Sequence, residues 1–297
     1  MNDIIYEIQS KIKSKIFLDY DMGKATWFRT GGKTLGFVTV NNFKDLKKIV
    51  SYKNKIKYYI VGVGSNLLVR DSGYKGLIIK LGKTFNSIKI KKNIISVGAA
   101  VLDINLAKFA SKNSIKDFEF FIGIPGTIGG AVKMNAGCYG SQTSDNLKGA
   151  LILNSQGKVK YINLQELDLK YRSSTIEKNS VILKVDFNCS YSSYDEIIAK
   201  NNQIKFKREK SQPLREKTSG STFKNPPGKF AAKLIENSGC KGLKVGGASV
   251  SKVHANFIIN DGNATASDIE ELGKTIIKKV KDVFGIVLEW EIKILGG

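Results

Sequence analysis

Apolar residues recur at helical spacing where the chain begins. Ile4, Ile5, Ile8, Ile12 and Ile16 have lysines and polar residues between them. That is the pattern of an amphipathic helix over Met1 to Phe17, not the continuous apolar core of a signal peptide. Gly36 to Val40 then reads as a strand, Phe43 to Tyr52 as a short helix and Ile56 to Val61 as a strand running into Gly62-Val63-Gly64. Short β-rich pieces follow at Gly76 to Lys80, Phe85 to Ile90 and Asn93 to Val97. From Leu102 to Lys112 the spacing is helical again, with Leu102, Leu106, Phe109 and Ala110 on one face.

Ala150 to Ser190 returns to strands, with Gly157 in a hairpin turn. Tyr194 to Lys210 is helical and strongly charged, and Pro213 ends it. Phe230 to Ser238 is a short helix stopped by Gly239, and His254 to Asn260 a strand. The strongest helical signal runs from Asp268 to Phe284, with Ile269, Leu272, Ile276, Val280 and Val283 on one stripe. Ser267 and Glu270 have capping-box spacing, and Gly285 stands where a left-handed residue ends a helix. Ile286 to Leu295 closes the chain as a strand. These elements predict an α+β protein with a domain boundary near residues 200 to 215.

Composition narrows the picture. With 297 residues, 42% apolar and 25% charged, the chain has material for a core and a solvated surface. The 29 glycines against 4 prolines predict many tight turns and close backbone approaches. A net charge of +22 is compatible with a nucleic-acid binder, a membrane-surface protein or an enzyme for anionic substrates. The densest basic stretch, Gln203 to Lys217, offers only Phe206 for stacking on a base, so a solvated lysine-rich surface is the plainer reading. The longest uncharged run, Phe120 to Val132, is too short to span a bilayer. Cys138, Cys189 and Cys240 are far apart and there is one histidine, which excludes a disulfide framework and a Cys/His zinc site and predicts reduced, intracellular thiols.

Three glycine-rich segments invite a nucleotide. Gly31-Gly32-Lys33-Thr34 resembles the end of a phosphate-binding P-loop, but Trp27 stands where that motif needs its first glycine. Gly62-Val63-Gly64-Ser65-Asn66-Leu67 follows a strand, but Leu67 occupies the sixth position of the dinucleotide fingerprint, where glycine or alanine is required. An ordinary tight turn explains a lone G-x-G as well, although the Ser65 hydroxyl and Asn66 amide add donors. The third, Gly123-Ile124-Pro125-Gly126-Thr127-Ile128-Gly129-Gly130-Ala131, leads into Met134-Asn135-Ala136-Gly137. So many missing side chains suggest backbone packed against a flat or phosphorylated ligand, the alternative being a glycine cluster at a domain seam.

Taken in order, these segments resemble the UDP-N-acetylenolpyruvoylglucosamine reductases. Thr26-Trp27-Phe28-Arg29-Thr30-Gly31-Gly32 is similar to part of that family's flavin-binding region, and Gly62 to Asp71 to its phosphate loop. Ile124 to Ala131, Met134 to Gly137 and Tyr171-Arg172-Ser173-Ser174 match the next motifs. Ser219-Gly220-Ser221-Thr222-Phe223-Lys224-Asn225-Pro226, Gly246-Gly247-Ala248, His254-Ala255-Asn256-Phe257 and Leu288-Glu289-Trp290-Glu291 match those of the C-terminal part. The little room between Arg172 and Gly220 resembles the shorter family type, which lacks an extra substrate-covering insertion. Trp290 and Ile176 are minor departures.

The resemblance implies a two-lobed FAD-binding domain of the PCMH (vanillyl-alcohol-oxidase-like) type over residues 1–200, with lobes of about 1–85 and 86–200. A smaller α+β substrate domain over 201–297 would close on the substrate. FAD, tight but non-covalent, is assigned to Gly62, Gly64, Ser65, Asn66, Leu67, Gly123, Pro125, Gly126, Thr127, Gly129, Gly130 and Ala131, and NADPH is the co-substrate. The implied reaction reduces the enolpyruvyl ether of UDP-N-acetylglucosamine to UDP-N-acetylmuramate for peptidoglycan. Ser221 is its proton donor, Arg172 holds the substrate carboxylate and Glu291 acts beside it as an acid. The expected protein is cytoplasmic and monomeric, holds no metal, binds no nucleic acid and does not insert into a membrane. Read without the family, Glu291 is a rim charge, Arg172 a surface ion pair and His254 a strand histidine with a satisfied hydrogen bond. A flavin oxidase with flavin attached covalently near Cys138 and a nucleic-acid binder are the competing functions.

Overall fold

A computed structural model of the chain describes residues 2–297. It divides into two compact units, neither continuous in sequence. The first holds 1–18, 36–62 and 76–208, and the second 19–35, 63–75 and 209–297. The division at 208/209 falls inside the charged helix Tyr194–Ser211.

The first unit opens on the helix Asn2–Gln9, with Ile5 and Ile8 buried. The isoleucine spacing predicts a helix reaching Phe17, but a strand, Ile16–Asp21, begins there instead. The helix ends because the Asp45 carboxylate collects the amides of Lys13 and Ser14 and the Ser14 hydroxyl, at 2.7–3.0 Å, turning the chain out of helical geometry. A four-stranded sheet takes the order Ile16–Asp21, Lys33–Val40, Tyr74–Leu81, Tyr58–Val61. A five-stranded antiparallel sheet runs Val159–Asn163, Leu147–Leu153, Val181–Asn188, Ile94–Gly98, Ile88–Lys91. Gly157, at φ +77°, makes the expected hairpin turn. The helix Asp103–Lys112 begins one residue after its predicted start, with Leu102 as its N-terminal boundary residue.

In the second unit, the helices Ala231–Asn237 and Ala266–Phe284 share an apolar core with a small antiparallel sheet of Lys244–Val245, Ala248–Val250 and Ile258–Asn260. Leu67–Val69 pairs in parallel with Lys293–Leu295. Phe28, Leu68 and Phe223 join Ile269, Leu272, Ile276 and Val280 in that core, whereas Val283, predicted on the same stripe, is exposed. Gly285 takes the left-handed conformation at φ +69°, as its position predicts. The capping box is Thr265 with Asp268, two residues earlier than the Ser267–Glu270 spacing suggests. Two predicted strands are shorter: 254–260 keeps only Ile258–Asn260, and 286–295 only Lys293–Leu295. Among the described residues no helix is long and apolar enough to cross a membrane.

Candidate functional site

The expected cofactor residues fall in two main-chain structures. The first is the 62–67 turn. Gly64 has φ +70°, and a Cβ there would lie 1.9 Å from the Ala25 carbonyl oxygen, so only glycine serves. The Gly64 carbonyl accepts from the Trp27 amide at 3.1 Å. Among the described residues, the amides of Val63, Ser65 and Asn66 donate to no protein group. Consecutive unengaged amides form an anion-binding concavity. Leu67 is 2% exposed and starts the 67–69 strand, so its main chain, not its side chain, is what a ligand could meet.

The second structure is the 123–131 segment. Its end forms a helix, Ile128–Met134, closed by Asn135 in the left-handed conformation at φ +41°. The amides of Ile128 and Gly129 are bonded to the carbonyls of Val101 and Ala99, and that of Ala131 to Thr127. Several glycines here make room for protein rather than ligand. A Cβ on Gly62 would meet Thr127 Oγ1 at 2.5 Å, one on Gly123 would meet Cys138 Sγ at 2.7 Å, and one on Gly126 would meet Asp103 Oδ2 at 2.5 Å. Gly130 is exposed, with open space on its Cβ side beyond Thr127 at 3.7 Å, and Pro125 is half-buried.

Beneath Gly126, Asp103 is fully buried and neither carboxylate oxygen has a hydrogen-bond partner. Burial raises its pKa well above the usual carboxylate range, because it disfavours the charged form. Burial likewise pushes the Cys138 thiol up to about 12, against the pull of Arg208 and Arg172 and with Asp103 adding to the rise. Cys138 Sγ donates to the Phe120 carbonyl at 3.2 Å. A protonated, hydrogen-bonded thiol is a poor nucleophile, which disfavours covalent flavin attachment at this residue. Each structure by itself suits part of such a ligand: the unengaged amides at 63–66 suit a phosphate, and the open side of Gly130 with the orphaned acid at Asp103 suits a flat group.

Arg172 lies in the first unit at φ +55°. Its guanidinium donates to the Gly137 carbonyl at 2.9 Å and to that of Asn135 at 3.5 Å, and sits 4.8 Å from the Tyr171 ring centroid. These contacts orient the fork, which the surface ion-pair alternative does not require.

Ser221 and Glu291 lie in the second unit, brought together by main-chain pairing. The Glu291 amide donates to the Thr222 carbonyl at 2.8 Å, the Lys224 amide donates to the Glu289 carbonyl at 2.8 Å, and Phe223 and Trp290 form an antiparallel bridge. Gly220, at φ +75°, turns the chain immediately before Ser221. Ser221 is half-buried, and its hydroxyl bonds no protein group among the described residues. Around it, the buried hydroxyls of Thr218, Ser219 and Thr222 also have no partner. Lys293 shares the neighbourhood: burial and then Lys224 lower its pKa, and Glu291 pulls it back up.

The residue that sequence reasoning passes over is Asn256. Buried at 4% exposure, it holds Phe223 by both main-chain groups and supplies the carbonyl that accepts from the Thr222 amide. Its place in His254-Ala255-Asn256-Phe257 was the only available signal. His254 lies outside a strand, and its Nδ1 accepts from the Asn256 amide at 3.3 Å. Burial lowers its pKa. Among the described residues no group of His, Cys, Asp and Glu could hold a metal.

The chain also resembles known proteins. Residues 34–163 match the model of an FAD binding domain, and residues 212–295 that of the UDP-N-acetylenolpyruvoylglucosamine reductase C-terminal domain. The UDP-N-acetylenolpyruvoylglucosamine reductases of Rickettsia conorii and Rickettsia prowazekii are 42% identical over 286 residues, 96% of this chain and 97% of theirs. The crystal structure of UDP-N-acetylenolpyruvylglucosamine reductase from Thermus caldophilus superposes with a TM-score of 0.83 at 31% identity, covering 96% of this chain and 99% of that one.

Proposed function

Because the chain belongs to the UDP-N-acetylenolpyruvoylglucosamine reductase family and is an FAD-dependent oxidoreductase, we propose that it reduces the enolpyruvyl ether of UDP-N-acetylglucosamine to UDP-N-acetylmuramate with NADPH as co-substrate. The α+β fold joins an FAD-binding domain of the PCMH type to the family's C-terminal domain. The flavin-holding part is assigned to 1–200 and the substrate part to 201–297. Gly62, Gly64, Ser65, Asn66, Leu67, Gly123, Pro125, Gly126, Thr127, Gly129, Gly130 and Ala131 would hold FAD. When bound, FAD supplies the hydride that reduces the alkene.

The chain's own side chains handle charge and proton. Arg172 pairs both oxygens of the substrate carboxylate, where negative charge grows as the adjacent carbon gains electrons. Ser221 gives its Oγ proton to that carbon; a serine hydroxyl is a weak acid, so the acceptor must be a strong base. Glu291, protonated beside an anionic carboxylate, hydrogen-bonds it and shares the developing charge. The observation that carries this assignment is the pairing of Glu291 with Thr222, which fixes Glu291 and Ser221 on adjoining main-chain segments. Some of the positive charge serves the substrate diphosphate and the phosphates of NADPH. The enzyme is assigned to the cytoplasm as a monomer.

Stopped-flow absorbance tests the reading. Ser221→Ala should let NADPH bleach the flavin and fail to recover colour when the enolpyruvyl substrate is added. Equal loss in both half-reactions would assign Ser221 a structural role.

A further inference from the structure

We infer that Trp290 is a positioning residue that sets the carboxyl of Glu291, and that Gly273 is glycine in order to receive its indole; the inference rests on the catalytic reading of Glu291. The main-chain pairing that carries Glu291 is short. It consists of the Phe223–Trp290 bridge, the bonds at Thr222 and Lys224, and no longer ladder. It is also irregular. The Glu291 amide at 2.8 Å and the Ile292 amide at 3.5 Å both donate to the Thr222 carbonyl, so two residues face one. That is the pattern of a β-bulge, a device that re-aims a side chain. A bulge on so short a pairing needs an anchor beside it.

Trp290 provides one. Its ring lies against Phe223, with centroids 4.9 Å apart and planes at 38°. Its far edge presses on the 266–284 helix, where a Cβ on Gly273 would lie 1.9 Å from Cη2 and 2.7 Å from Cζ2. Glycine inside a helix is about 1 kcal/mol less favourable than alanine. Gly273 sits buried in the middle of this 19-residue helix, and the indole is what occupies the space a side chain would take. Trp290 is thereby held on two sides, by Phe223 in the segment that follows Ser221 and by the helix, and the bulge begins at the next residue.

Gly273→Ala displaces the indole while leaving Trp290 itself, and every residue of the 221–224 and 289–292 pairing, unchanged. In the flavin-loaded enzyme, Gly273→Ala and Trp290→Ala should each slow flavin reoxidation by the enolpyruvyl substrate about ten- to a hundredfold, the scale for a displacement near 1 Å. Reduction by NADPH should stay within about twofold, the pH profile of reoxidation should shift, and Trp290→Phe should recover most of the rate. The double variant should be no slower than Trp290→Ala alone, since the clash is then gone. Additive effects, or equal slowing of both half-reactions, would overturn the inference, as would unchanged reoxidation in Gly273→Ala; that variant and Trp290→Phe decide it if Trp290→Ala does not fold. With Trp27→Phe, Trp290 is the sole tryptophan, and its emission should change on Gly273→Ala; no change also counts against the packing. Glu291→Gln reoxidising at the wild-type rate would sink the catalytic reading of Glu291, an outcome the emission test distinguishes from failure of the packing.

Discussion

Asn256 grips Phe223 by both main-chain groups: its Oδ1 accepts from the Phe223 amide at 3.0 Å and its Nδ2 donates to the Phe223 carbonyl at 2.8 Å. The fork is buried and sits two residues past Ser221. Asn256→Asp removes the donor and faces a carboxylate oxygen toward a carbonyl. The expected loss is about 1–3 kcal/mol of stability, the range for a buried polar group left unpaired. Urea denaturation of wild type and variant measures it, and matching midpoints would contradict the fork's role.

Asp71 lies in the segment similar to the family's phosphate loop, yet its carboxylate is occupied elsewhere. Oδ1 accepts from the Ala266 amide, and Oδ2 from the Ser267 amide and hydroxyl, at 2.7–2.9 Å. It caps the 266–284 helix alongside Thr265. Burial alone pushes its pKa up, but the Ser267 hydroxyl and the two amides outweigh this and lower it. A lowered folded pKa gives stability that is present above the ordinary value of 3.8 and lost as pH falls through the folded one. Asp71→Ala should cost about 0.5–2 kcal/mol at neutral pH, with the deficit shrinking in acid. A deficit independent of pH would show that the carboxylate charge plays no part.

Asp103 predicts the opposite dependence. Its folded pKa is raised, so its contribution is complete below the ordinary value of 3.8 and declines as pH rises toward the folded one. Asp103→Asn, of similar shape but unable to ionise, should gain stability relative to wild type across that window, by at most about 1.4 kcal/mol per pH unit. Paired denaturation curves from pH 4 to pH 8 give the difference directly, and a flat difference would mean that Asp103 ionises normally.

Arg172 holds its guanidinium against the carbonyls of Gly137 and Asn135. Lysine keeps the charge without the planar fork. Arg172→Lys should therefore lower kcat/KM for the enolpyruvyl substrate about a hundredfold while leaving flavin reduction near normal. Steady-state and half-reaction kinetics together check this, and a fall confined to flavin reduction would move Arg172 away from the substrate.

Local signals made much of the fold legible. The 194–211 and 266–284 helices and the turns at Gly157, Gly239 and Gly285 follow from spacing and from glycine's access to positive φ. Choices set by distant partners were not legible. Both Thr265–Asp268 and Ser267–Glu270 have capping-box spacing, and the first wins while Glu270 pairs with Arg70 at 2.8 Å. Ile12 and Ile16 fit a helical stripe, but Asp45 draws the intervening amides away. The final strand is interrupted because Glu291 is bulged, a feature of pairing rather than of composition. At the candidate site, residue types and order were readable through the family likeness. The supports, Asn256 and Gly273, depend on contacts that no single-chain pattern encodes.

The discontinuity of the second unit has a consequence for synthesis. Residues 19–35 and 63–75 leave the ribosome early, yet their partners lie in the last third of the chain. The Asn66 side chain bonds the carbonyl of a residue 225 positions later, and Leu67–Val69 waits for Lys293–Leu295. A nascent chain therefore carries an unpaired apolar strand until Lys293–Leu295 has been made. Completion of this unit waits for residues 209–297, while the 88–188 sheet can assemble long before them.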